Sequence, residues 1–168
     1  GYSLTPTTTG GSGQHAGQHR TFVAKIDAGG AWQWAAKAGT GYNMYSRGSD
    51  LALDSLGGLY VIGWFNAPNS NTAMSFGYHT NHQITSNSSG NYGGYLAKLS
   101  TSGGQWQWAR GWDSHWADWT HQSISSDGNG YIIISNTLRN NLTLGIHSLN
   151  VSTTSDDVFI TKISTNKI

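Results

Sequence analysis

The chain has 168 residues, of which 10% are charged, with a formal net charge of +1 and no cysteine. That length holds one domain with a real core or a few small repeat units. So little charge, with Lys25, Lys37, Arg47, Lys98 and Arg110 scattered along the chain, provides no basic face for nucleic acid or an acidic membrane. The missing cysteines exclude a disulfide framework and a thiolate metal site, and no apolar run approaches the roughly 18 residues of a spanning helix.

In chain order, the opening GYSLTPTTT and a Gly-rich stretch precede the first strand signal, FVAKI (residues 22–26), which alternates large and small side chains. A turn at Asp27 to Gly30 leads to AWQWAAKA (31–38), the second predicted strand. DSLGG (54–58) supplies turn chemistry ahead of LYVIGWF (59–65), the most apolar run and so a buried strand. YLAKL (95–99), a turn from Ser100 to Gly104, and QWQWAR (105–110) repeat the earlier order. GYIIIS (130–135) follows the SSDGNG turn, and FITKIST (159–165) begins the pattern once more. No window carries a helical stripe with caps.

Self-similarity is therefore the main signal. FVAKIDAGGAWQWA (22–35) aligns with YLAKLSTSGGQWQWA (95–109) after one inserted residue. LALDSLGGLYVIGW (51–64) aligns with SISSDGNGYIIIS (123–135), and SFGYHTNHQIT (75–85) with TLGIHSLNVST (143–153). The expected units are residues 1–76, 77–144 and an incomplete 145–168. Short antiparallel strands at this spacing predict an all-β chain of β-propeller-like blades, two full repeats plus an incomplete third; a β-sandwich of the same repeats is the alternative.

The pattern F-V-A-K-I-D-x-G-G-x-W-x-W followed by D-S-x-G-G-L-Y-V-I-G resembles the SBBP repeat, an extracellular repeat family named for seven-bladed β-propellers. The second unit departs from it at Ser125-Ser126-Asp127, where the first reads Leu53-Asp54-Ser55. The resemblance implies repeat architecture and an extracellular or cell-surface location. It implies no catalytic residue.

Two units and a fragment fall short of the four to eight blades of a closed propeller. The fragment lacks its W-x-W and D-S-x-G-x-Y strands, which leaves strand edges open. A longer repeat array, a ring of several copies, or a strand donated to the next subunit would each complete it. Intermolecular completion is the favoured expectation, and heterologous contacts of that kind build rings or filaments.

The tryptophans divide into two sets. Trp32 and Trp34, like Trp106 and Trp108, are two residues apart and so predicted to share a strand face as core, with each indole N–H on a backbone carbonyl. Trp112, Trp116 and Trp119 stand in RGWDSHWADWTH (110–121) beside Asp113, His115, Asp118 and His121, where the first unit has KAGTGYNMYSRGSD. Trp112, Asp113, His115, Trp116, Asp118 and Trp119 form a candidate glycan platform, indoles stacking a sugar ring while polar groups take its hydroxyls. Packing against a neighbouring blade or subunit is the competing reading.

Neither His15 and His19 nor His79 and His82 have a spacing that converges on a metal in strands or loops. Asp113 with Asp118 as a glycosidase pair and Asp156-Asp157 as a calcium site rest on proximity in sequence alone. Three N-x-S/T acceptors, at Asn87, Asn141 and Asn150, are candidate glycosylation sites. The sequence thus predicts a non-enzymatic, extracellular structural or adhesive protein, without cofactor or metal, whose partners are other copies of itself. The alternative is a lectin-like module that binds glycans.

Overall fold

A computed structural model of the chain describes residues 20–39, 45–66, 73–77, 82–85, 92–114, 122–138, 141–144, 147–150 and 157–165. Among these residues it is all-β, with thirteen strands in several small antiparallel sheets, none closed into a barrel. In chain order they are β1 (Thr21–Ile26), β2 (Trp32–Ala38), β3 (Tyr45–Leu53), β4 (Gly58–Asn66), β5 (Ala73–Ser75), β6 (Gln83–Thr85) and β7 (Tyr92–Ser100). Then follow β8 (Trp106–Ser114), β9 (Ser123–Ser126), β10 (Tyr131–Leu138), β11 (Leu142–Leu144), β12 (His147–Leu149) and β13 (Asp157–Ser164).

The central sheet has the order β3-β4-β7-β8. It runs from Tyr45 to Ser114 and so draws strands from both sides of the expected unit boundary at 76/77. Hairpin β1-β2 lies on one face of it and the three-stranded sheet β13-β10-β9 on the other. Strand β4 shows why. Every residue from Gly58 to Phe65 is buried, because a strand covered on both faces has no solvent side. Leu59, Val61 and Phe65 join one core with Val23, Trp34 and Ala36 of the hairpin. Tyr60 and Ile62, which alternate with them, join a second core with Ile132, Ile134 and Phe159.

Three turns share one construction. Asp27, Asp54 and Asp127 each open a hairpin in which Oδ1 accepts the backbone N–H groups two and four residues on. Each loop closes through a positive-φ glycine, Gly30, Gly57 and Gly130, at φ between 82° and 84°. The apparent break in the repeat at Ser125-Ser126-Asp127 is thus a one-residue slip in alignment: Asp127 stands where Asp54 stands. The fourth hairpin turn, from Ser100 to Gln105, carries the inserted residue and has Gly104 at φ 69° instead.

The small hairpins β5-β6 and β11-β12 occupy corresponding places, each between the second and third strands of its sheet. Gly39 N–H donates to Ser75 O, Gly77 N–H to Lys37 O, and Ala38 bridges Phe76. The inserted segment therefore pairs along the edge of β2 in the preceding sheet, covering backbone groups that would otherwise invite another strand. Strand β11 lies beside β8.

Candidate functional site

The aromatic residues come first, since the sequence divided them. The expectation that each W-x-W pair shares a face is overturned. The register slips between Lys25 and Ile26 and between Lys98 and Leu99, so Lys98 faces Trp108 and Leu99 faces Trp106 across β7 and β8. A bulge places two residues opposite one and reverses the alternation beyond it. Trp106 therefore points into the first core, while Trp108 packs against the second. In the hairpin Trp34 is buried, but Trp32 is 64% exposed.

The buried indoles of the two W-x-W pairs, Trp34 and Trp106, satisfy their N–H groups on carbonyls. Trp34 Nε1 donates to Thr101 O at 2.9 Å, and Trp106 Nε1 to Lys37 O at 3.1 Å. Trp34 also lies on Gly104, where an added Cβ would stand 2.6 Å from the indole. Trp106 meets Phe76 edge to face at 5.1 Å, and Phe76 meets Tyr95 at 5.3 Å.

Trp112 belongs to this packed set. Its indole lies against Gly94 of the neighbouring strand, where an added Cβ would be 2.2 Å from the ring. It is 9% exposed and part of the second core, so its faces are used in packing and none is presented to a sugar ring. The backbone of Asp113, in strand β8, pairs with Gly93. His115, Trp116, Asp118 and Trp119 lie outside the described residues, as do His15, His19, His79, Asp156 and Asn87. Asn141 and Asn150 are exposed at the open end of hairpin β11-β12.

Asp27, Asp50, Asp54 and Asp127 are held in structural bonds. Asp54, buried at the turn into β4, accepts Gly58 N–H at 2.7 Å, Leu56 N–H at 2.9 Å and the Tyr60 hydroxyl at 3.0 Å. Lys98 Nζ stands 3.7 Å away and 4.9 Å over the Tyr60 ring. Burial pushes the Asp54 carboxyl up, but these donors and the lysine outweigh it and hold the group below the usual carboxylate range. Lys162 repeats the arrangement, 2.8 Å from Asp127 and 4.4 Å over the Tyr131 ring.

Asp50 ties two sheets together. From β3 it accepts the Ile124 N–H at 3.0 Å and the Ser123 hydroxyl at 2.9 Å, both on β9, and its own neighbour Leu51 N–H at 2.8 Å. Burial again raises its pKa, and the three hydrogen bonds outweigh burial to lower it. On the opposite face, the fully buried Tyr95 hydroxyl sits 3.0 Å from Thr21 Oγ1 and donates to Arg47 O, linking hairpin and central sheet. Burial drives that phenol well above its ordinary value.

At one end of the hairpin and central sheet lies a cleft of about 760 Å³, lined by Arg20, Arg47, Phe22, Tyr45, Trp64 and Tyr92 among others. It offers guanidinium donors and aromatic edges, and among the described residues its lining holds no carboxylate or imidazole. Sequence reading missed it because its residues come from four strands and the segment before β1. Among the described residues no three His, Cys, Asp or Glu side chains gather into a metal-binding group.

The largest anomaly is apolar. Phe22, Ile26 and Trp32 are 62%, 51% and 64% exposed on the outer face of hairpin β1-β2. Val158 and Ile160 are 71% and 73% exposed on the outer face of sheet β13-β10-β9. Leu51 and Leu53 are open on the central sheet beyond the reach of the two-stranded hairpin. Exposed apolar groups of this size are a common feature of interaction faces.

No protein-family model matches the chain, and no curated protein matches it either. The likeness to the SBBP repeat therefore rests on the motifs alone.

Proposed function

We propose that this chain is an extracellular structural or adhesive β-repeat protein, without catalytic activity, that assembles head to tail as a ring or filament. Its sheets serve as propeller-like blades, and its partial repeat is completed by a neighbouring subunit. The observation that carries this reading is the correspondence between the central sheet and its neighbour. Strands β9, β10 and β13 match β3, β4 and β7 in order, in the Asp turn and in the inserted hairpin, and no counterpart of β8 follows among the described residues. A stack of like units held by repeated apolar positions is the physics of a repeat scaffold, in which each unit needs a neighbour on either side.

Asn141 and Asn150 carry glycans in this reading, at exposed positions flanking a short hairpin where a sugar keeps further strands away. Sedimentation velocity over a concentration series, with negative-stain microscopy of the same samples, tests the proposal. Growth of the sedimenting species into rings or filaments is expected. A folded monomer at every concentration would sink it.

A further inference from the structure

The two exposed end faces are repeat images of two faces that the molecule has already buried against each other. The register makes this exact in position. Lys98 pairs with Tyr60 and Leu96 with Ile62 in the central sheet; Lys162 pairs with Ile133 and Ile160 with Ser135 in the sheet after it. Ile160 therefore stands where Leu96 stands, yet Leu96 is 3% exposed and Ile160 73%. Likewise Phe22 pairs with Lys37 and Ile26 with Trp32, while Tyr95 pairs with Gly111 and Leu99 with Trp106, with a bulge at the same place. Phe22 and Trp32 are the images of Tyr95 and Trp106, which are 0% and 8% exposed.

Among the described residues, the two face-to-face packings of the central sheet join the same two kinds of face in the same order. The face carrying Val23, the image of Leu96, meets the face carrying Tyr95; the face carrying Leu96 meets the face carrying Phe159, the image of Tyr95. In neither packing does a face meet its own kind. Among the described residues the two outer sheets present one face of each kind, Phe22 with Trp32 on the hairpin and Val158 with Ile160 on sheet β13-β10-β9.

Resting on the head-to-tail reading above, we infer that the outer face of sheet β13-β10-β9 seats on the outer face of hairpin β1-β2 of a second copy. Ile160 and Val158 of one copy lie over Phe22, Ile26 and Trp32 of the next, a heterologous contact that continues the internal stack. Seating face to face also removes a conflict. Both β1 and β13 occupy the third-strand place of the repeat, so joining hairpin and sheet edge to edge would leave one strand too many. Face stacking expels none.

The experiment uses Phe22→Glu and Ile160→Glu, each at an exposed position, in the full chain, with far-UV circular dichroism and melting to confirm an unchanged fold. Light scattering after size exclusion reads the mass. Wild type is expected to associate, each variant alone to be monomeric, and an equimolar mixture of the two to form a dimer and nothing larger. In that mixture only one productive pair of faces remains. Should either variant alone still dimerise, the contact joins like faces and the inference falls. If both variants associate as wild type does, assembly proceeds by strand edges: the inference falls while head-to-tail assembly stands. A wild type that never associates overturns both. Ile160→Thr with Val158→Thr, milder on the fold, is expected to weaken association at least tenfold, and no change there also counts against the seat.

Discussion

The central sheet and the two outer sheets place similar apolar residues at matching positions with opposite outcomes. Tyr95 and Leu99 are fully buried, while Phe22 and Ile26, their images in the hairpin, are more than half exposed. Residue class and strand register match in both places, so the difference lies in what covers each face. Burial in a stacked repeat is a property of the neighbour, and an end sheet carries core residues without a core.

That contrast can be broken by paired substitutions. Tyr95→Ala should cost about 3–5 kcal/mol in the folded chain, since it empties a core site and removes one of the Thr21 hydroxyl's two partners, whereas Phe22→Ala in the monomer should stay within about 0.5 kcal/mol. Denaturant unfolding of both variants gives the comparison, and equal losses would show that the hairpin's outer face is covered within the monomer. Leu99→Ala against Ile26→Ala repeats the test without a polar group, at about 2–5 kcal/mol against a few tenths.

The aspartate turns extend the comparison to polar groups. Asp54→Asn should cost about 2 kcal/mol, because a buried carboxylate accepting several hydrogen bonds loses its charge, while the more exposed turn at Asp127 should lose less on the same change. Asp50 and Asp54 both titrate lower folded than unfolded, so their stabilisation is complete above about pH 4 and is lost as pH falls further. Melting temperature followed downward from neutral pH should decline on that limb, and Asp50→Asn with Asp54→Asn should flatten it. The smallest effect belongs to Lys162→Met, within about 0.5 kcal/mol by thermal unfolding, because its partner Asp127 is a surface group.

Much of the architecture was legible in the chain. FVAKI, YLAKL and FITKI became β1, β7 and β13, LYVIGWF became β4, and the Asp-Gly turns fell where their chemistry put them. Strand β3 was less legible, because YSRGSDLAL mixes glycine with charge and lies at the edge of its sheet. The W-x-W pairs misled because a bulge reverses side-chain alternation, and nothing in WQW itself announces one. Trp112 looked like a surface platform because it had no tryptophan partner in the first unit. Its packing depends on Gly94, distant in sequence and adjacent across two strands.

By itself, then, the sequence determined the strands, the turns and the fact of repetition. These follow from alternation and from glycine and aspartate at fixed offsets, all local properties. Tertiary structure alone decided which face of each strand is core, which Asp bridges two sheets, and which apolar side chains are left in solvent. Those outcomes depend on neighbours far along the chain, and a repeated motif reads the same whether or not another sheet lies over it.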